Sequence, residues 1–248
     1  MKHPSVLAPV RPLISAWLGP GKARYSNKSV AKAILASLPA KLPDLDEWIS
    51  AIKCTGPNSS EQLWSWRKVE IIAKENQSKE KILEKLVASL LGGPAWANQV
   101  NTASGLSRSS GDGRRNIDLI QKTPGGGYRF VELKISSNNP VYAAIELVEY
   151  TLLYLWIRAH PEKQKRGRED KELLSARRIA LVVLAPEGFY GEYDPIELRR
   201  FADLISTAFE RLKGNVPLVN LGFFVLPQLP KTPDQEALEA AFANPRAI

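Results

Sequence analysis

Two short runs of sequence decide the fold, Ile117-Asp118-Leu119-Ile120 and Phe130-Val131-Glu132-Leu133-Lys134-Ile135. Apolar and charged residues alternate along both runs, as they do in a β-strand whose successive side chains point to opposite faces. The segment between them, 122–127, contains a proline followed by three glycines, which is typical of a hairpin turn. The sequence therefore predicts two antiparallel strands, at 116–121 and 128–135.

The register of this hairpin predicts a charged cluster. If the hairpin is symmetric about Gly125, Asp118 and Glu132 lie opposite each other, because each is seven residues from that glycine. Cross-strand neighbours have Cβ atoms about 4.5 to 5.5 Å apart, and like charges there destabilise a sheet. A divalent cation such as Mg²⁺, which prefers carboxylate and phosphate oxygens, would offset the repulsion. Lys134, on the same face as Glu132, could orient or deprotonate a water molecule and offset phosphate charge.

This arrangement has a plain alternative. Asp118, Glu132 and Lys134 could form the solvated face of an amphipathic hairpin, held by a Glu-Lys contact worth roughly a few tenths of a kcal/mol. Spacing alone does not separate that reading from a phosphodiester-cleaving site built from two carboxylates, a metal and a lysine.

The remaining pattern predicts a mixed sheet with helices on its faces. A helical stripe starts at Ser78 and stops at Gly92-Gly93-Pro94, and an apolar helix covers 141–157 behind the cap Asn139-Pro140. Further segments are predicted as a strand at 96–102, a basic loop at 104–115, a charged loop at 161–178, a strand at 179–184, a helix from Asp194-Pro195 to Gly214, and a strand at 218–226. The predicted order is α-β-β-β-α-β-α-β.

Three regions follow from this reading. Residues 1–75 are predicted to be a helical N-terminal extension, 76–227 the α/β core, and 228–248 a peripheral C-terminal tail. The tryptophans of the extension, Trp48, Trp64 and Trp66, could stack on bases. Aromatic residues among helical apolar positions are more often buried, so we expect these three to belong to the core.

The paired motif resembles the PD-(D/E)XK nuclease superfamily, in which an Asp near one strand precedes an (Asp/Glu)-X-Lys on the next. The matching residues are Asp118 and Glu132-Leu133-Lys134, and the likeness covers about 78 to 226, with Ile117 where the family pattern has proline. The resemblance implies a restriction-endonuclease-like α-β-β-β-α-β core. It also implies a Mg²⁺-dependent nuclease, with Mn²⁺ as the alternative ion, in which Asp118 and Glu132 bind the metal and Lys134 activates water.

The resemblance also implies a glutamate on the helix before the strands. Glu80 and Glu84 are the candidates, four residues apart on one face. Glu80 is the predicted metal ligand, and its alternative role is a first-turn carboxylate favoured by the helix dipole. On the helix after the lysine strand, Glu146 and Tyr150 are candidates for polar groups aimed at the site, and Glu146 must face a partner or the metal because burying an unpaired carboxylate is costly.

Composition narrows the function classes. The 248-residue chain carries 34 Lys and Arg against 26 Asp and Glu, a net charge of +8 that favours contact with nucleic acid. We expect DNA rather than RNA as the substrate. The alternative is a binding module without catalysis, in which basic residues such as Arg108, Arg114 and Arg115 contact phosphates without hydrolysis. A further alternative is docking into a homodimer or a larger complex through the N-terminal helices.

Other chemistries have little support in the sequence. Gly19-Pro-Gly-Lys22 is followed by Ala23 and does not meet the Walker A pattern, no G-x-S-x-G occurs, and His3 and His160 stand far apart. The single cysteine, Cys54, cannot form an internal disulfide. With no signal segment at the start and an apolar run interrupted by Glu146 and Glu149, we expect a cytoplasmic protein with no membrane role.

Overall fold

The fold is seen in a computed structural model of the chain. The structure describes residues 7–18, 25–53, 64–66, 68–69, 78–102, 116–136, 139–160, 172–230, 232–243 and 245–248. Cys54, the arginines of the predicted basic loop and most of the loop at 161–178 lie outside these residues.

Helices and strands follow in the predicted order through the core. The helices are α1 (Val10–Leu18), α2 (Lys28–Ala36), α3 (Leu45–Ala51), α4 (Lys79–Leu86), which continues as a π-helical turn (Val87–Leu91), α5 (Pro140–Ala159), a 3₁₀ turn (Glu172–Ser175), α6 (Glu187–Tyr190), α7 (Pro195–Glu210) and α8 (Gln235–Ala243). The strands are β1 (Trp96–Asn101), β2 (Asn116–Thr123), β3 (Gly127–Leu133), β4 (Arg178–Pro186), β5 (Leu218–Leu226) and β6 (Arg246–Ala247).

The strands form one mixed six-stranded sheet in the order β1-β2-β3-β4-β5-β6. β1, β2 and β3 are antiparallel neighbours, whereas β3, β4 and β5 run parallel, with α5 and α7 as the crossovers. The predicted mixed α/β sheet is thus confirmed. α7 is shorter than predicted, because it ends at Glu210 rather than near Gly214.

The local sequence explains where helix α5 begins. The Asn139 side chain accepts a hydrogen bond of 2.9 Å from the backbone N of Tyr142, and Pro140 occupies the first turn of α5. α5 is buried nearly all round. By length and composition it is the one described helix that could cross a membrane, and 89% of its most apolar window is buried inside the protein.

The alternation of side chains along the strands divides the core into two layers. One face of the sheet packs against α5, α7 and the N-terminal helices through residues such as Ile120, Phe130 and Val183. The other face packs against α4 and α8 through Leu119 and Val131, among others. The sheet is therefore buried on both faces where β3 and β4 run through its centre.

The two ends of the chain contribute more to this core than the sequence suggests. Trp48 and Trp64 are buried as predicted, and Trp64 packs between Phe130 and Tyr154 at ring distances of 6.4 and 5.4 Å. The C-terminal tail was predicted to be peripheral. Instead, α8 buries Phe242 edge-on against Trp96 at 5.4 Å, so the tail covers part of the sheet.

Candidate metal centre

The hairpin has the predicted register. β2 and β3 pair from Thr123 with Gly127 to Leu119 with Val131, which is symmetric about Gly125. Gly125 and Gly126 have φ values of +75° and +74°, which side chains disfavour and glycine permits. Continued by one residue, the register sets Asp118 opposite Glu132.

Regular pairing of β2 with β3 ends at Leu119 and Val131, next to these two carboxylates. The Asp118 Oδ2 atom accepts a hydrogen bond of 3.0 Å from the backbone N of Leu133. Both carboxylates are buried, Asp118 with 8% and Glu132 with 4% of its surface exposed. The hairpin thus brings together two of the predicted metal ligands in a site with little water.

Lys134 follows the last residue of β3, which ends at Leu133, two residues before its predicted end at Ile135. Its backbone N still donates to the Leu184 carbonyl of β4 at 3.0 Å. Its Nζ atom lies 2.6 Å from Oε1 of Glu132 and 3.1 Å from Oε2 of Glu146. Glu146 therefore faces a partner, as expected of a carboxylate on an apolar helix, and its partner is the predicted catalytic lysine.

The helix carboxylate that shares a lysine with Asp118 is Glu84, whereas Glu80, the predicted ligand, contacts backbone amides that follow Lys134. The Glu80 Oε1 atom accepts hydrogen bonds from the backbone N atoms of Ile135 and Ser136, at 3.1 and 3.3 Å. Glu84 is fully buried and shares a lysine with Asp118. Residues four apart share a helix face but differ in height by about one turn, near 6 Å, which is enough to direct the two carboxylates to different partners.

A second lysine, Lys81, joins the cluster and was missed by the sequence analysis. Its Nζ atom lies 2.8 Å from Oε1 of Glu84 and 3.2 Å from Oδ1 of Asp118. The spacing of three residues between Lys81 and Glu84 on one helix was the signal that could have indicated their pairing. Nothing in the sequence indicated that the pair would reach the hairpin.

Gln99 on β1 is the other missed residue. Its Nε2 atom donates to Oε2 of Glu84, and its Oε1 atom accepts from Nδ2 of Asn116 at 3.3 Å. Its backbone has a φ of +50°, although it is not a glycine. Residue type alone gives no sign of such a backbone conformation.

The remaining candidates lie along α5 and at the N terminus. Tyr150 is buried in the core on α5. Glu149, one turn beyond Glu146, lies 3.5 Å from the Nε atom of Arg11 on α1, whose side chain is 54% exposed. An ion pair therefore joins α5, one turn beyond the cluster, to the exposed side of the N-terminal helix α1.

Burial and like charge together raise the pKa values of Glu84, Glu132 and Glu146. Burial, reinforced by the charge of Asp118, raises the pKa of Glu84 to about 8 against the opposing effect of Lys81. The pKa of Glu132 lies well above its ordinary value for the same reasons, burial first and then the charges of Asp118 and Glu146. Burial alone would lower the pKa of Lys134, but the charges of Glu132 and its neighbours outweigh burial and raise it.

The cluster is short of positive charge. Four carboxylates, Glu84, Asp118, Glu132 and Glu146, share two ammonium groups, those of Lys81 and Lys134. If all six side chains ionise, two negative charges remain uncompensated. Within the described residues, Oε2 of Glu132 is also a buried oxygen without a hydrogen-bond partner.

These features fit a divalent cation in charge and in donor type. Mg²⁺ and Mn²⁺ are bound by carboxylate oxygens, and a +2 ion supplies the charge that the cluster lacks. In the described part of the chain, no group of three or more His, Cys, Asp or Glu side chains is arranged so that it could hold a metal ion without some movement. Among the described residues, the ammonium group of Lys81 lies between Glu84 and Asp118, two of the carboxylates that could share an ion.

Comparisons of the chain with protein-family models, with curated proteins and with solved structures found no match.

Proposed function

We propose that this protein is a Mg²⁺-dependent nuclease of the PD-(D/E)XK type that hydrolyses phosphodiester bonds, with Mn²⁺ as the alternative ion. The observation that carries the proposal is the charge deficit of the buried cluster, in which four carboxylates share two lysines. Without an ion, burial holds the pKa values of Glu84 and Glu132 above their ordinary values, and a bound cation would supply the positive charge that allows these carboxylates to ionise.

Asp118, Glu132 and Glu84 would hold the ion. Glu132 offers the unpartnered Oε2 atom, and Asp118 lies opposite it in the hairpin register. Glu84 takes the place that the sequence analysis gave to Glu80. When bound, the metal lowers the pKa of a coordinated water and offsets charge on the phosphate.

Lys134 would act on the reacting groups. Contacts with Glu132 and Glu146 on both sides fix its Nζ atom beside the proposed ligands. From this position the lysine can orient the attacking water and offset negative charge that builds up on the phosphate. Glu146 is then a residue that positions Lys134 rather than one that binds the metal.

Sheet topology also supports a restriction-endonuclease-like core. An α-helix precedes three antiparallel strands, and α5 then leads to the parallel strand β4. The Asp lies on the second strand and the Glu-X-Lys at the end of the third, where the ladder between them opens. A mixed sheet with this order is common to many folds, so the site carries the proposal more strongly than the topology does.

The substrate we propose is DNA, with RNA as the alternative. The net charge of +8 favours a polyanion, and the guanidinium of Arg11, which is 54% exposed, lies on α1 beside Glu149, one turn beyond Glu146 on α5. Since Arg11 belongs to α1, the N-terminal extension would then contribute to substrate binding.

The proposal is tested by incubating the protein with supercoiled plasmid or single-stranded RNA, in Mg²⁺, Mn²⁺ or EDTA. We expect nicking or linearisation of the plasmid that requires a divalent ion and is lost in Lys134→Ala. Salt-sensitive binding without cleavage in either ion would favour a binding module instead. Cleavage of RNA alone would change the substrate and leave the site assignment intact.

A further inference from the structure

Gln99 has a backbone conformation that a strand residue rarely adopts. Its φ of +50° lies in the left-handed region, and within the described residues Trp64 is the one other non-glycine residue with a positive φ. β1 pairs with β2 on both sides of Gln99, in a register that sets it opposite Asp118. Left-handed backbone at a non-glycine residue persists only where the surrounding structure holds it, and it is concentrated at functional sites.

The side chain of Gln99 makes contacts that account for this conformation. Its amide donates to Oε2 of Glu84, while Lys81 donates to the other oxygen of the same carboxylate. At its other end, Gln99 accepts a hydrogen bond from Asn116 on β2, two residues before Asp118. The Glu84 carboxylate is therefore held at both oxygens, by groups from two different elements.

We propose that Gln99 is a positioning residue of the metal centre, and that its left-handed backbone is retained because it aims the amide at Glu84. The inference rests on the proposed function, because the orientation of Glu84 matters only if its carboxylate binds the ion. Partners that hydrogen-bond to metal ligands set the ligand orientation, and their loss weakens metal binding by about 10- to 100-fold. Gln99 would thus depart from regular strand geometry in a way that strengthens metal binding.

The experiment compares Gln99→Gly with Asn220→Gly. Both changes replace a polar strand residue with glycine, but Asn220 is exposed on β5 and does not have a positive φ. Melting temperature is measured in EDTA and in Mg²⁺ alone, and plasmid cleavage is measured over a range of Mg²⁺ concentrations. Gln99→Asn is tested in parallel, because asparagine tolerates left-handed backbone but its side chain is one methylene shorter.

In EDTA, glycine at position 99 relieves the left-handed backbone but removes the hydrogen bonds of the amide, so we expect Gln99→Gly to melt near the temperature of the wild type and Asn220→Gly to melt below it. The rise in melting temperature caused by Mg²⁺ should shrink in Gln99→Gly and Gln99→Asn and remain in Asn220→Gly. The Mg²⁺ concentration for half-maximal cleavage should increase about 10-fold or more in both Gln99 variants, with the rate at saturating Mg²⁺ within about twofold of wild type.

Two outcomes would overturn the inference in different ways. A normal Mg²⁺ response in the wild type that both Gln99 variants leave intact would show that Gln99 has only a structural role. Absence of any Mg²⁺ response and of cleavage in the wild type would overturn the metal centre and, with it, the role of Gln99.

Discussion

The candidate site contains two lysines that each bridge two carboxylates. The two groups differ in the element that carries the lysine and in how far the lysine is exposed. In the strand group, Lys134 contacts Glu132 and Glu146; in the helix group, Lys81 contacts Glu84 and Asp118. The Lys134 side chain is 10% exposed and follows a central strand, whereas that of Lys81 is 25% exposed and belongs to a helix of eight residues. A lysine between two carboxylates thus occurs once next to a central strand, with little exposure, and once on a short helix, with more exposure.

The difference suggests different roles for the two lysines. A lysine fixed beside the reacting groups can orient water in the same way at every turnover, which the strand group provides. A more exposed lysine can move aside at lower cost, so Lys81 is suited to neutralise Glu84 and Asp118 until an ion replaces it. Substitutions in the two groups should therefore change different measured quantities.

The largest expected effect is that of Lys134→Ala on cleavage. Loss of a group that transfers or orients protons in the transition state slows reactions by about 10²- to 10⁴-fold, and we expect the cleavage rate at saturating Mg²⁺ to fall by that amount. Lys122→Ala is the matched control, because Lys122 pairs with Glu172 near the surface, away from the cluster. Its rate should stay near that of wild type.

Lys134→Met tests whether activity is lost in Lys134→Ala only because the side chain becomes smaller. Methionine preserves most of the side-chain volume, so a folded Lys134→Met protein that still binds Mg²⁺ but does not cleave would assign the loss to the ammonium group. Wild-type rates in both variants would remove Lys134 from the mechanism.

The next effect separates the two helix glutamates. In Glu84→Gln, the Mg²⁺ concentration for half-maximal cleavage should rise about 10- to 100-fold, because a proposed ligand loses its charge. In Glu80→Gln it should change little, since the Glu80 carboxylate accepts hydrogen bonds from two backbone amides. Titration of cleavage with Mg²⁺ measures both. The reverse pattern would restore Glu80 as the ligand.

The part of the site that lies on the hairpin could be predicted from sequence because a hairpin has few free parameters. Alternation assigns each residue to a face, and the glycine turn around Gly125 sets the register, which together place Asp118 opposite Glu132. A single strand also carries both Glu132 and Lys134, so their contact follows from local geometry.

The helix group could not be predicted in the same way. Helical periodicity puts Glu80 and Glu84 on one face, but their heights relative to the sheet depend on how α4 packs, which the sequence of the helix does not state. The left-handed backbone of Gln99 is likewise set by tertiary contacts. The same limit explains α8, whose burial of Phe242 depends on a partner, Trp96, that is distant in sequence.

Lys81→Met should alter stability more than catalysis. Without the ammonium group, Glu84 and Asp118 face each other with less compensation, and we expect the free energy of unfolding in EDTA to fall by about 1 to 2 kcal/mol, allowing for the partial exposure of Lys81. Mg²⁺ should restore most of that loss, since the ion supplies the missing charge. Denaturant unfolding with and without Mg²⁺ measures the effect, and a loss that Mg²⁺ leaves unchanged would contradict a replaceable lysine.

The last expected effect concerns the pH dependence of stability in the metal-free protein. Because the pKa of Glu84 is raised to about 8, the folded protein keeps a proton that the unfolded chain releases near pH 4.5. Its contribution to stability is therefore full below pH 4.5, declines as the pH rises towards 8, and changes little above that. Glu84→Gln cannot release this proton, so its stability should decline less between pH 5 and pH 8.

The raised pKa values of Glu132 and Glu146 add the same slope in both proteins, so the difference between the two curves reports the proton of Glu84. Denaturant unfolding in EDTA at several pH values measures it. Parallel curves for wild type and Glu84→Gln would mean that the proton belongs to the strand group. In that case Lys81 neutralises Glu84 fully, and the two groups differ in charge as well as in exposure.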